Sequence, residues 1–189
     1  MINDTTIDVL SIVKLKRDTH IQSFDCGDSD SNSFLIDDAK DYYDQLMGVS
    51  YLVEYKEKEL AAYYCLFTDK IVFDFSDKSD FKRKWWQKFN KKNKIHFKKH
   101  RKNYPAVKIG RLAVASNFGG KGIGRFILDA VKLMLIENRN IGCRFLTVDA
   151  YKNALDFYQK NGFDFLSTED ENEDTRLMYF DLKDVIQSY

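Results

Sequence analysis

The stretch NFGGKGIGRF, residues 117–126, holds four glycines and two cations in ten positions, between the apolar run IGRLAV and an amphipathic stretch. A strand, a glycine loop and a helix in that order suit an anion. The loop and first helical turn leave amide N–H groups unpaired, and the helix dipole favours negative charge there. The spacing excludes two familiar phosphate loops. A Walker A loop has Ser or Thr after Gly-Lys, whereas Gly122 follows Gly120-Lys121, and a dinucleotide fingerprint reads G-x-G-x-x-G, whereas these glycines stand at 120, 122 and 124. A plain turn into a helix would use the same glycines, so the loop alone leaves a phosphate cradle and a flexible turn both open.

Cysteine chemistry is thin. Cys26, Cys65 and Cys143 are scattered, with no Cys-x-x-Cys or Cys/His metal spacing, so neither a disulfide framework nor a metal site is expected and a reducing compartment fits. Net charge is +1, which by itself calls for no polyanionic partner. Its distribution is uneven. Between Lys82 and Lys102 stand eleven cations and no carboxylate, which leaves 30 − 11 = 19 cations against 29 acids elsewhere. A basic band is carried by an acidic body.

The elements that must position the loop follow from periodicity. DVLSIVKL (8–15) reads as a strand, and a helix is expected over Ser29–Met47, with Asp28, Ser29 and Asp30 as N-cap candidates. VSYLVEY and LAAYYCLF, joined by a charged turn, read as a hairpin, with KIVFDF as a further short strand. Phe81, Trp85 and Phe89 recur every four residues, predicting a basic amphipathic helix over 77–90, followed by loop. Pro105 is expected to open the strand AVKIGRLAVA.

After the loop, Ile123, Phe126, Ile127, Ala130, Val131 and Met134 mark one face of a helix that ends before Gly142. CRFLTVDA is apolar on both sides, as a central strand is. A short helix carrying Ala154, Phe157 and Tyr158 stops at Asn161-Gly162. FDFLS and TRLMYFDL close the chain as a hairpin. At 189 residues the chain reads as one domain, 1–189, with a basic helix and loop inserted at about 77–103. The N-terminus lacks the pattern of a signal peptide and no window approaches the roughly 18 to 20 apolar residues of a membrane span, so the expectation is a cytoplasmic protein with no membrane partner.

GRLAVASNFGGKGIG, then the helix, RFLTVDA and NALDFYQKNGF, over about 107–166, resemble the central block of the GNAT superfamily of N-acetyltransferases. The resemblance implies an α+β fold: a mostly antiparallel twisted sheet of six to seven strands, a splayed parallel pair in its middle and about four helices on its faces. It implies acetyl-CoA as cosubstrate and no metal. The superfamily's pyrophosphate loop reads Gln/Arg-x-x-Gly-x-Gly/Ala. Gly122 and Gly124 fill its small positions, and Gly119 stands where Gln or Arg is usual. Gly119, Gly120, Lys121, Gly122, Ile123, Gly124 and Arg125 are thereby assigned to the pyrophosphate, and the backbone of Leu112, Ala113 and Val114 to the pantetheine arm.

Acetyl transfer needs a neutral amine to attack the thioester and donors for the developing oxyanion and leaving thiolate. Tyr158 occupies the tyrosine position of the superfamily's FY-x-x-x-GF motif and is the implied general acid, against the alternative that it only packs. Asn153 matches a coenzyme-touching position, which helix capping explains as well. No base stands out: His20, His96 and His100 lie outside the block, and Glu54, Asp69 and Asp149 are candidates for a water-mediated base.

FDCGDSDSNSFL and YPAVKIGRLAV further resemble the toxin-type branch, whose members acetylate the α-amine of aminoacyl-tRNA and stop translation. That implies aminoacyl-tRNA, a small antitoxin and a second copy of the chain as partners. Lys91, Lys92, Lys98, Lys99 and Arg101 could neutralise RNA phosphates, with Trp85, Trp86, Phe89 and Phe97 stacking on bases. The same segment is equally well read as a solvated basic helix anchored by its aromatics. The expected function is therefore acetyl-CoA-dependent N-acetyl transfer to a primary amine by direct attack in a ternary complex, with the α-amine of aminoacyl-tRNA as the alternative acceptor and a domain that binds coenzyme A or a partner without catalysis as a second alternative.

Overall fold

The computed structural model describes residues 9–56, 59–72, 87–93, 95, 102–138 and 141–186. In chain order they form β1 (Leu10–Lys14), a helical rod, then β2 (Val49–Tyr55) and β3 (Glu59–Val72). The rod consists of α1 (Ser29–Ser33), a π-helical stretch (Phe34–Asp38) and α2 (Ala39–Asp44). A short helix α3 (87–92) precedes β4 (Asn103–Val114), and α4 (Ile123–Glu137) precedes β5 (Phe145–Tyr151). The chain continues with α5 (Leu155–Lys160), β6 (Asp164–Phe165), β7 (Thr175–Asp181) and α6 (Lys183–Ile186). Among the described residues no helix is long and apolar enough to cross a membrane.

The strands make one seven-stranded sheet in the order β1-β2-β3-β4-β5-β7-β6. Every neighbouring pair is antiparallel except β4 and β5. This is the expected α+β architecture with its parallel pair in the middle.

Side-chain alternation assigns the helices to faces. Tyr63 on β3 donates its hydroxyl to Ser31 O of α1 (2.7 Å) and stacks on Phe34, so Tyr63, Cys65 and Phe67 face the rod. Four residues further along the same alternation, Ile71 joins Phe89, Tyr104, Phe145, Leu166 and Tyr179 in a second, aromatic cluster under α3. The rod and α3 therefore cover one face of the sheet, at different points along the strands. On the other face, α4 buries Ile123, Ile127, Leu128 and Val131.

Three expectations change. LAAYYCLF and KIVFDF are not separate strands: β3 runs unbroken through Val72, because the polar residues between them alternate, with Thr68 and Lys70 exposed and the backbone paired to β4 throughout. Pro105 is the third residue of β4, not its first. Its carbonyl accepts from Arg144 N (3.0 Å), so its missing N–H faces the side where β5 has not yet begun, and no ladder bond is lost. Finally, the helix expected over 77–90 is described only from 87, and it extends to 92, which makes Lys91 and Lys92 helical. Phe89 is buried against Phe145 (5.5 Å) and Tyr179 (5.2 Å), so it anchors α3 and is not offered to a base. Phe81, Trp85, Trp86 and Phe97 lie outside the described residues.

Candidate active site

β4 and β5 pair only through Ala106–Ile109 and Phe145–Val148, after which they part: β4 continues to Val114 and β5 to Tyr151. The fork opens at a bulge. Opposite Cys65 and Leu66 of β3 stand Arg111 and Ile109, so Gly110 is the extra residue. A Cβ there would lie 1.8 Å from Phe67 Cε2. Sequence reasoning passed over Gly110, although a glycine inside an apolar strand is the signal for such a bulge.

Beyond the fork, Ala115 N donates to Ala61 O (2.9 Å). With period two, Ala113 also turns its backbone towards β3, and the N–H and C=O groups of Leu112 and Val114 face the fork. Of the three strand residues expected at the pantetheine arm, these two present backbone groups to the fork.

The glycine loop follows directly. Phe118 N and Gly119 N donate to Ala115 O (2.8 Å) and Ser116 O (3.3 Å). Gly120 (φ 72) and Gly122 (φ 79) adopt the left-handed conformation that favours glycine, while Gly119 (φ −56, ψ 146) does not. The first intrahelical bond of α4 runs from Phe126 N to Gly122 O (3.0 Å), leaving the amides of Ile123, Gly124 and Arg125 ahead of it without helical partners. Lys121 Nζ lies 4.6 Å from the Phe118 ring centroid, and Arg125, mostly exposed, sits 3.7 Å from Asp129. An anion at this end meets unpaired amides, the helix dipole and two cations.

Gly124 joins the pieces. A Cβ there would lie 3.1 Å from Phe157 Cζ and 3.9 Å from Leu112 Cδ2, so the first turn of α4 packs at once on α5 and on the free half of β4. Tyr158, next to Phe157, is buried with edge contacts to Phe157 (5.0 Å) and Phe163 (5.3 Å). Burial raises its pKa well above the ordinary phenol value, and among the described residues its hydroxyl has no hydrogen-bond partner. Asn153 is exposed in the turn Lys152–Ala154. The N-cap of α5 is Ala154, which makes no side-chain cap bond, so Asn153 does not cap the helix.

The motif FDCGDSDSNSFL closes the other side. Asp28 caps α1 by accepting from Ser31 N (2.7 Å), and Asp25 accepts from Gly27 N (2.8 Å) and Asn32 Nδ2 (2.9 Å). Ser116 N donates to Asp25 O (2.9 Å), tying this motif to the start of the glycine loop. Arg111 bonds Asp30 (2.5 Å) with its guanidinium 4.7 Å from the Phe34 ring centroid.

The remaining candidates scatter. Glu54 is on β2, two strands from β4, and His20 is an exposed loop residue. Asp69 accepts from Thr147 Oγ1 (2.5 Å), and Asp149, the first β5 residue past the fork, pairs with Lys108. Lys91 is exposed on α3, whereas Lys92 is paired with Asp164. His96, His100, Lys98, Lys99 and Arg101 lie outside the described residues.

A family profile described as acetyltransferase (GNAT) domain matches residues 94–183. A search of curated proteins finds no match. Among solved structures, a Tyr→Phe variant of KacT is 24% identical, with 95% of this chain and 99% of that chain covered and a TM-score of 0.72. AtaT complexed with acetyl-methionyl-tRNAfMet is 25% identical, with 95% and 98% covered and a TM-score of 0.71. AtaTR bound with AcCoA is 24% identical, with 96% and 98% covered and a TM-score of 0.72. The matched segment contains the fork, the glycine loop and α5 together: over residues 94–183 the chain is similar to a GNAT acetyltransferase domain, and the activity that goes with that likeness is acetyl transfer.

Proposed function

We propose that the acceptor is the α-amine of aminoacyl-tRNA and that acetyl passes to it by direct attack in a ternary complex. The observation that carries the reading is the convergence at Gly124, where the amide-rich start of α4, the free half of β4 and the helix of Tyr158 meet at the fork. The amides of Gly120 to Arg125, with Lys121, take the pyrophosphate, and Leu112 and Val114 pair with the pantetheine arm as a further strand would. Asn153 lies at the edge of that arm.

In the transfer step the neutral amine attacks the thioester carbon, and a fork-facing β4 amide stabilises the oxyanion. The C–S bond then breaks. Tyr158 gives its proton to the leaving sulfur, the amine's surplus proton leaves to water, and the phenol regains a proton from solvent. An α-amine, with an unperturbed pKa of roughly 7.7 to 8.0, is partly neutral at physiological pH, unlike a lysine ε-amine near roughly 10.4.

The RNA acceptor is supported by likeness along the whole chain to AtaT, whose complex holds acetyl-methionyl-tRNAfMet, and by the exposed Lys88 and Lys91 on α3. In this reading the chain works as one domain with the basic stretch at about 77–103 inserted. A small antitoxin is the expected partner, as in the AtaT variant bound to the C-terminus of the antitoxin AtaR, and a second copy of the chain is another. Labelled acetyl-CoA, incubated with total aminoacyl-tRNA beside polyamines, amino acids and peptides, tests the reading. Label on RNA that is lost on hydrolysis of the aminoacyl ester supports it, and label confined to a small amine or peptide contradicts it.

A further inference from the structure

Asp149 and Lys108 break the pattern of the strands that carry them. β4 and β5 are central, and every other residue of β5 up to Ala150 is buried, yet the Asp149 side chain is 45% exposed. A central strand flanked on both faces is ordinarily apolar, and such exceptions concentrate where a protein has work to do. Asp149 is the first residue of β5 beyond the last parallel pair, Ile109 and Val148, so it stands at the mouth of the fork.

Alternation fixes its face. Lys108 pairs in register with Phe67 of β3 and Thr147 of β5, and Asp149 is two residues past Thr147. All four side chains therefore point to the face covered by the rod and α3, opposite the α4 that begins at the glycine loop. Phe67 is wedged between Gly48 and Gly110, where a Cβ would lie 2.3 Å and 1.8 Å from its two ring edges. It supplies a fixed apolar wall beside the charged pair.

We infer that Asp149 receives the acceptor amine, approaching from the face of the fork opposite α4, with Lys108 orienting the carboxylate and Phe67 flanking the acceptor's side chain. Lys108 engages Oδ2, and Oδ1 has no partner among the described residues. A lone carboxylate would favour the unreactive ammonium form of the acceptor. With Lys108 on its other oxygen the pair has no net charge, so Oδ1 accepts a hydrogen bond from the amine while favouring its protonation less. The placement also relates the amine to the basic helix: α3 is seated on Phe145, four residues and about 13 Å along β5 from Asp149, on the same face.

This inference rests on acetyl transfer at the fork, and two readouts separate the claims. In the full-length protein, Asp149→Asn should raise the KM for aminoacyl-tRNA at least tenfold with the acetyl-CoA Kd and Tm unchanged, and Asp149→Glu should recover most of the loss. By calorimetry with coenzyme A present, methionine methyl ester should bind the wild type and at least tenfold more weakly the Asp149→Asn variant. Equal binding of the ester by both, or an acceptor KM within twofold of wild type, overturns the placement. Binding of the ester by the wild type alone, without acetyl transfer to any amine, upholds the placement and removes the transfer reading.

Discussion

Gly110 and Phe67 compete for one volume: a Cβ on Gly110 would lie 1.8 Å from Cε2 of the Phe67 ring, at the point where β4 leaves β5. The ring cannot retreat freely, because Gly48 meets its other edge. Gly110→Ala should therefore destabilise the protein by about 1–3 kcal/mol, as overpacked cores do. Adding Phe67→Ala should make the second substitution far less costly than alone, and a double-mutant cycle by denaturant unfolding reads that coupling.

Gly122 combines a left-handed backbone with the proposed anion site. Gly122→Asn tolerates that backbone and adds no charge, so it should lower acetyl-CoA affinity only modestly. Gly122→Asp should lower it at least tenfold more. Calorimetric titration of both variants isolates the charge, and equal affinities would remove the pyrophosphate from this loop.

Gly119 is different, because its φ of −56° suits any residue and an added Cβ would meet only Ser116 O, at 3.3 Å. Gly119→Arg should fold with an unchanged Tm and bind acetyl-CoA several-fold more tightly, by adding a cation beside the amides. An unchanged Kd would show that the amides and Lys121 already suffice.

Burial raises the pKa values of Tyr63, Tyr64 and Tyr158, and pushes Tyr179 up to about 12. The folded state therefore keeps these phenols protonated where the unfolded chain, with phenols near pH 10, begins to ionise. Their contribution is fully present below about pH 10 and is lost as pH rises from there towards 12. Tm should fall above about pH 9.5, with phenolate absorbance appearing together with unfolding.

The strand–loop–helix block was legible because its local signals agree: Gly120 and Gly122 announce the turn, and the 3.6-residue period from Ile123 onward has no competing reading. The splay was read only through resemblance: Gly110 inside the apolar run was a local signal of a bulge that went unused, and its ring partner Phe67, forty-three positions away, is in no local pattern. Asp149 was one of several undistinguished carboxylates until register put it at the fork. The basic segment misled through Phe89: amphipathic spacing cannot say whether an apolar face meets the protein's own sheet or a base.

Tyr158→Phe tests the proposed proton transfer, measured as single-turnover acetyl transfer from bound acetyl-CoA to aminoacyl-tRNA beside the wild type. Because the phenol hydroxyl has no partner among the described residues, its removal should leave the fold and the acetyl-CoA Kd intact. A general-acid role for Tyr158 predicts a rate at least tenfold lower for the variant. Equal rates at equal coenzyme occupancy would contradict it and take Tyr158 out of the chemistry.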